Sequence, residues 1–181
     1  MSKRGYTFAA GEHGEWCIAR IFAPLGDGLA AAARLAVHNA VGTPADCAWS
    51  LSGMLSNERY VTRPEKSALL ALPTATAPTC AALIALRKSA DWWAMTQDER
   101  RAVFETQSRH IALGLELGAG ITRRLHHCRD LVEDAPFDFL TWFEYAPQDE
   151  ARFDALLAQL RASEEWHFVE REVDIRLRRA R

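Results

Sequence analysis

An α+β fold built on antiparallel sheet is what this sequence predicts, and three observations predict it. From Cys80 to Leu177, short alternating apolar runs and longer helical patterns follow in the order strand, helix, strand, strand, helix, strand. That order is the split βαβ pattern, so the second half reads as ferredoxin-like. The first half carries a weaker series of the same kind, which predicts a reduced sheet half and a barrel-like body with helices outside. With 181 residues, 49% of them hydrophobic, the chain can bury a core spanning two such halves, read as 1–75 and 76–181.

In chain order, Tyr6 to Ala9 and Trp16 to Phe22 read as strands, and the alanine-rich Leu29 to His38 as a helix. Cys47 to Leu55 and Arg59 to Thr62 read as strands. Pro64 to Pro78, with prolines at 64, 73 and 78, reads as a short helix or irregular link. Cys80 to Leu86 has the continuous apolar character of a buried strand. Gln97 to Leu117 then reads as one helix, opened by a capping box of Thr96 with Glu99 and stopped by Gly118 and Gly120. Ile121 to Asp130 alternates as a strand, and Phe137 to Tyr145 (FDFLTWFEY) is the strongest strand signal in the chain. Pro147 to Ala162 spaces Phe153, Leu156, Leu157 and Leu160 helically, and Trp166 to Leu177 alternates again.

Composition narrows the function classes. A net charge of −2 offers no basic face for nucleic acid, and Arg176, Arg178, Arg179 and Arg181 read as a solvated end. No apolar run approaches the roughly 18 residues that span a bilayer. The N-terminus turns polar before a signal core forms, which predicts a cytoplasmic protein. Cys17, Cys47, Cys80 and Cys128 lie far apart and are read as reduced thiols. His126, His127 and Cys128 are adjacent, but strand neighbours point to opposite faces and cannot grip one ion together.

The most informative residue is His110. It shares the inward stripe of its helix with Val103, Gln107 and Gly114, flanked by Phe104, Ile111 and Leu115. An imidazole there needs both nitrogens occupied, which a metal on one and a carboxylate on the other would satisfy. On the following strand Ile121, Arg123, Leu125 and His127 share a face, so Arg123 is a permanent cation among apolar neighbours. Its anion is a buried carboxylate in the plain reading and a substrate in the sharper one.

The stretch from Ser89 to Leu177, with LSNERYVTRPEK ending at Lys66, resembles the chlorite dismutase family, in particular its short, dimeric members. The residues that carry the resemblance are the Trp-Trp pair before an ERR-containing helix, the inward histidine, the arginine thirteen residues beyond it, RRLHHCRDL, PFDFLTWFEYAPQ and LRASEEW. The resemblance implies heme b, conversion of chlorite to chloride and dioxygen, and a homodimer. It implies His110 as the iron's proximal ligand and Arg123 as the distal catalytic cation. Glu164 is implied as the carboxylate on the His110 ring, with Glu165 its rival. Trp93, and behind it Trp92, are implied beside the porphyrin, and Lys88, Tyr60 and, more weakly, Asn57 at the propionates.

Each feature taken singly has a plain explanation, since tryptophans are usually core and a lysine after a strand is usually solvated. Two other functions share the same residues: a peroxidase-like heme enzyme of the same superfamily, and a non-enzymatic heme-binding or sensing dimer. Arg123 argues against the coproheme decarboxylases of that superfamily, which lack a distal arginine.

Overall fold

The structure, a computed structural model, describes residues 5–56 and 59–180. Four strands come from the first part of the chain: β1 (Gly5–Gly11), β2 (Trp16–Leu25), β3 (Arg34–His38) and β4 (Cys47–Ser56). Helix α1 (Arg63–Leu70) links them to β5 (Cys80–Lys88), after which come α2 (Ala90–Ala94), α3 (Gln97–Arg101), a π-helical turn (Ala102–Gln107) and α4 (His110–Leu117). The chain ends with β6 (Ile121–His127), β7 (Phe139–Tyr145), α5 (Glu150–Arg161), a 3-10 turn (Glu164–Phe168) and β8 (Val169–Arg179).

All eight strands join one closed antiparallel barrel in the order β1-β3-β2-β8-β5-β7-β6-β4. Alternation along each strand decides which side chains fill it. Phe8, Trp16, Leu35, Leu83, Leu140, Trp142, Ile175 and Leu177 point inward and form the main core. The intervening residues of β5 and β7, among them Ile84, Phe143 and Tyr145, point outward and are covered by Phe153 and Leu157 of α5. A further layer of Leu113 from α4 with Leu156 and Leu160 from α5 joins the two helices. At the seam between β4 and β6, a Cβ on Gly53 would lie 2.8 Å from the Cβ of His126, so the two strands meet there only because residue 53 has no side chain.

Two predicted elements are absent. The alanine-rich stretch is not a helix; Arg34–His38 is strand β3, with Leu35 completely buried between β1 and β2. Barrel closure overrides the helix propensity of the five alanines between Leu29 and His38, a weak local preference. Arg59 to Thr62 is not a strand either: Tyr60 takes a left-handed φ of 60° and Thr62 becomes the N-cap of α1, with Glu65 completing the capping box. The helix predicted over Gln97 to Leu117 is real but broken, with consequences for the site. Among the described residues no helix is long and apolar enough to cross a membrane.

Candidate functional site

The break in the long helix places His110. After α3 the backbone widens into the π-turn, closed by a bond from the Ser108 amide back to the Val103 carbonyl. Arg109 then swings into the left-handed region at φ 53°, a conformation that costs a non-glycine residue about 1–2 kcal/mol. Helix α4 starts afresh at His110. Its first free amides are capped by a distant side chain, since the Glu105 carboxylate accepts from the Ile111 and Ala112 amides at 2.6 and 3.3 Å. Gln107, expected on the inward stripe, is exposed as a result, while Ser108 is buried.

The His110 ring is held by a carboxylate, and that carboxylate is Glu165. Nδ1 of His110 lies 2.6 Å from Oε2 of Glu165, whose other oxygen accepts from Nζ of Lys88 at 2.7 Å. Glu164, named first from the sequence, is the neighbour that points away: it is exposed and bonds His167. The 3-10 turn turns residue 165 inward and residue 164 to solvent. Burial alone would raise the Glu165 carboxyl, but His110 and Lys88 outweigh it and hold the group below the ordinary carboxylate range. The Lys88 ammonium also lies over the Trp92 ring at 4.4 Å and the Trp166 ring at 5.8 Å.

With Nδ1 engaged, Nε2 is the ring nitrogen left to act, and His110 lines a cavity of about 270 Å³ between the sheet and the helices. The helix wall carries His110, Ile111, Gly114, Leu156 and Leu160; the sheet wall carries Ile84, Leu86, Arg123, Leu125, Thr141 and Phe143. Arg123 and His110 therefore share one apolar chamber, from opposite kinds of element. Leu69, Leu70 and Leu72 of the α1 region also line it, although α1 buries none of its residues and Leu70 is 71% exposed. Phe104 stacks on the imidazole, with ring centroids 4.1 Å apart and planes 21° apart.

Several predicted residues take other places. Lys88 lines the cavity, but its ammonium is committed to Glu165 rather than to an external acid. Of the two tryptophans the cavity residue is Trp92, which is buried with Nε1 lacking an acceptor among the described residues. Trp93, favoured from the sequence, is not on the lining: it bonds Asp138, stacks on Phe139 and lies between the guanidinium groups of Arg129 and Arg100. Tyr60 lines the cavity, fixed by Arg101 on its carbonyl and by Arg100 at 3.4 Å from its hydroxyl. Asn57 lies outside the described residues.

His126 faces the barrel interior, edge-on to Tyr6 and Phe8, with Nδ1 donating to the Leu140 carbonyl at 3.1 Å. His127 faces the cavity instead. Burial and nearby Asp138 push the Cys128 thiol up to about 12, which leaves it protonated. Among the described residues no group of three or more histidine, cysteine, aspartate or glutamate side chains could cage a bare metal ion. Arg59 at the cavity and the Glu105 and Ser108 contacts went unread in the sequence. Thr106 and Ser108, two indifferent helix formers close together, were the available signal for a break.

No protein-family model matches the chain. It is 31% identical to the chlorite dismutase of Ideonella dechloratans over 124 residues, which make up 66% of this chain and 41% of that protein. The match thus spans less than half the length of this curated relative. The dimeric chlorite dismutase of Nitrobacter winogradskyi has a crystal structure that matches with a TM-score of 0.88 at 50% identity, covering 97% of this chain and 99% of that one. The chlorite dismutase of Candidatus Nitrospira defluvii, solved in complex with imidazole, matches with a TM-score of 0.70 at 19% identity over 98% and 92% of the two chains, a likeness of fold.

Proposed function

This chain belongs to the chlorite dismutase family, and from that membership we propose that it binds heme b and converts chlorite into chloride and dioxygen. One observation carries the proposal: a histidine whose Nδ1 is locked to a buried carboxylate shares an apolar chamber with an arginine. Three features of the chamber suit a flat, acid-edged macrocycle. A lone histidine fits a metal that brings its own equatorial ligands. Gly114 stands inside a helix, where glycine costs about 1 kcal/mol against alanine, yet a Cβ there would meet only Leu69 at an ordinary 3.7 Å. The space it leaves belongs to the chamber. Trp92 offers a buried N–H with no acceptor among the described residues, as a propionate would require.

When bound, heme supplies the iron at which chlorite exchanges electrons. The chain's own residues supply the rest. His110 would hold the metal through Nε2, while Nδ1–H donates to Glu165, an arrangement that fixes the tautomer and would strengthen the imidazole as a donor. Lys88 holds Glu165 in place and ionised. Arg123 holds the chlorite anion, and keeps the chlorine-bearing fragment in the chamber until both oxygens have left it as dioxygen. A guanidinium suits this work because it cannot lose its proton near neutrality. Leucines and aromatic rings exclude water, so the charge acts in a weakly screened space.

The chain acts as a homodimer, in the cytoplasm, with halves 1–75 and 76–181. The strand order β8-β5-β7-β6 with crossover helices supports a ferredoxin-like second half. The deciding experiment is oxygen release on adding chlorite to purified, hemin-loaded protein. Stoichiometric dioxygen and chloride, lost together with the heme spectrum in His110→Ala, are the expected result; a heme-loaded protein that releases no oxygen would overturn the proposal.

A further inference from the structure

Three side chains of one short segment converge on the His110–Glu165 bond, and the proposed reaction assigns none of them. Phe104 stacks on the imidazole. Glu105 caps the first amides of the helix that begins with His110. Ser108, itself 4% exposed, accepts the backbone N–H of Glu165 on its Oγ at 2.8 Å.

These contacts depend on the break in the helix. In an uninterrupted α-helix the amides of Ile111 and Ala112 would bond the carbonyls of Gln107 and Ser108, and no side-chain oxygen could reach them. The π-turn with left-handed Arg109 releases those amides and brings the Glu105 carboxylate onto them. The same shift turns Ser108 toward the 3-10 turn that bears Glu165. The π-helix occurs mostly as single-turn bulges inside α-helices, frequently at functional sites.

We infer that Phe104, Glu105 and Ser108 are positioning residues that aim Nε2 of His110, because together they fix both ends of its bond to Glu165. Glu105 and Phe104 hold the helix and ring that carry the donor. Ser108 holds the turn that carries the acceptor. The role assigned to Nε2 rests on the reading of His110 as the heme ligand; the brace around Nδ1 does not.

The test follows the His110 Nδ1–H by proton–nitrogen NMR in the heme-free protein, then the iron–histidine stretching vibration in the ferrous, heme-loaded protein. Ser108→Ala and Glu105→Ala are expected to move the downfield Nδ1–H signal upfield or lose it to exchange. Glu105→Gln, which keeps an oxygen toward the amides, restores it. In the heme-loaded forms the stretch falls in the two alanine variants and recovers in Glu105→Gln. A wild-type signal in both folded alanine variants would overturn the inference. If Glu105→Ala does not fold, Ser108→Ala, which deletes a single oxygen, decides by the same criterion. Absence of an iron–histidine vibration in the wild type would remove His110 as the ligand, and the heme-free spectra would still judge the brace.

Discussion

Lys88 and Glu165 form an ion pair sealed from water, Nζ to Oε1 at 2.7 Å with side chains 3% and 4% exposed. Two charges taken out of solvent this completely are held by everything around them: His110 on the second carboxylate oxygen, the Glu165 carbonyl near the ammonium, and the Trp92 face beneath it. Deleting Glu165 strands the ammonium, and deleting Lys88 leaves the buried carboxylate to the His110 ring.

Lys88→Met should therefore destabilise the heme-free protein by about 3–5 kcal/mol, the usual effect of removing one partner of a buried ion pair. Urea unfolding measures this. The double variant Lys88→Met with Glu165→Gln should recover part of the loss, and a single-variant effect under about 1 kcal/mol would show that water reaches the pair.

Arg123→Ala should keep heme absorbance and lose oxygen release by roughly a hundredfold to a thousandfold, the typical effect of removing one preorganised charge. Faster bleaching during turnover is expected with it, because the oxidising chlorine species escapes. An oxygen electrode and the heme spectrum, followed together, check both halves; wild-type oxygen yield would count against the role of Arg123.

Trp92→Phe separates the needs of the fold from those of the cofactor. Removing a buried N–H that has no acceptor among the described residues relieves a burden of about 1–3 kcal/mol, which offsets the smaller ring, so the heme-free melting temperature should change little. Hemin titration of the same variant should show weaker binding. Equal hemin affinity would mean that this N–H meets no acid on the cofactor.

Acid sensitivity should come partly from His126. Burial, with Arg124 nearby, lowers its imidazole from 6.5 to about 4. Between those values the unfolded chain binds a proton that the folded protein refuses, so stability rises with pH there. The contribution is complete above about 6.5 and falls as pH drops toward about 4, a loss of roughly 3 kcal/mol. In His126→Phe, which keeps an aromatic ring between Tyr6 and Phe8, unfolding free energy measured from pH 7 to 4 should decline less steeply.

The strands of the second half were legible because a sheet with the barrel core on one face and helices on the other needs runs dense in apolar, aromatic and β-branched residues; Cys80–Lys88 and Phe139–Tyr145 show it. Strand β3 was not legible, because its reason for existing is the gap between β1 and β2, a demand made by distant strands on Arg34–His38, and the alanine run just before it reads as helix. At the site, periodicity directed attention to His110 and Arg123. It could not choose between Glu164 and Glu165 or between Trp92 and Trp93, because adjacent residues are separated only by the turn they sit on. The π-turn lay beyond a reading by period, since one widened turn changes the direction of every later side chain without changing composition.

Barrel closure has a bearing on the site that the site's own residues do not reveal. Strand β6, which carries Arg123, is flanked by β7 on one side and by β4 on the other, and β8 is likewise shared with β2. The small first half thus serves as a selvage for the second, finishing two borders that would otherwise present bare amides to any passing extended peptide. A fragment lacking residues 5–56 would keep His110, Glu165, Lys88 and Arg123 and yet be a sticky open sheet, prone to recruit a foreign strand beside the one that carries Arg123.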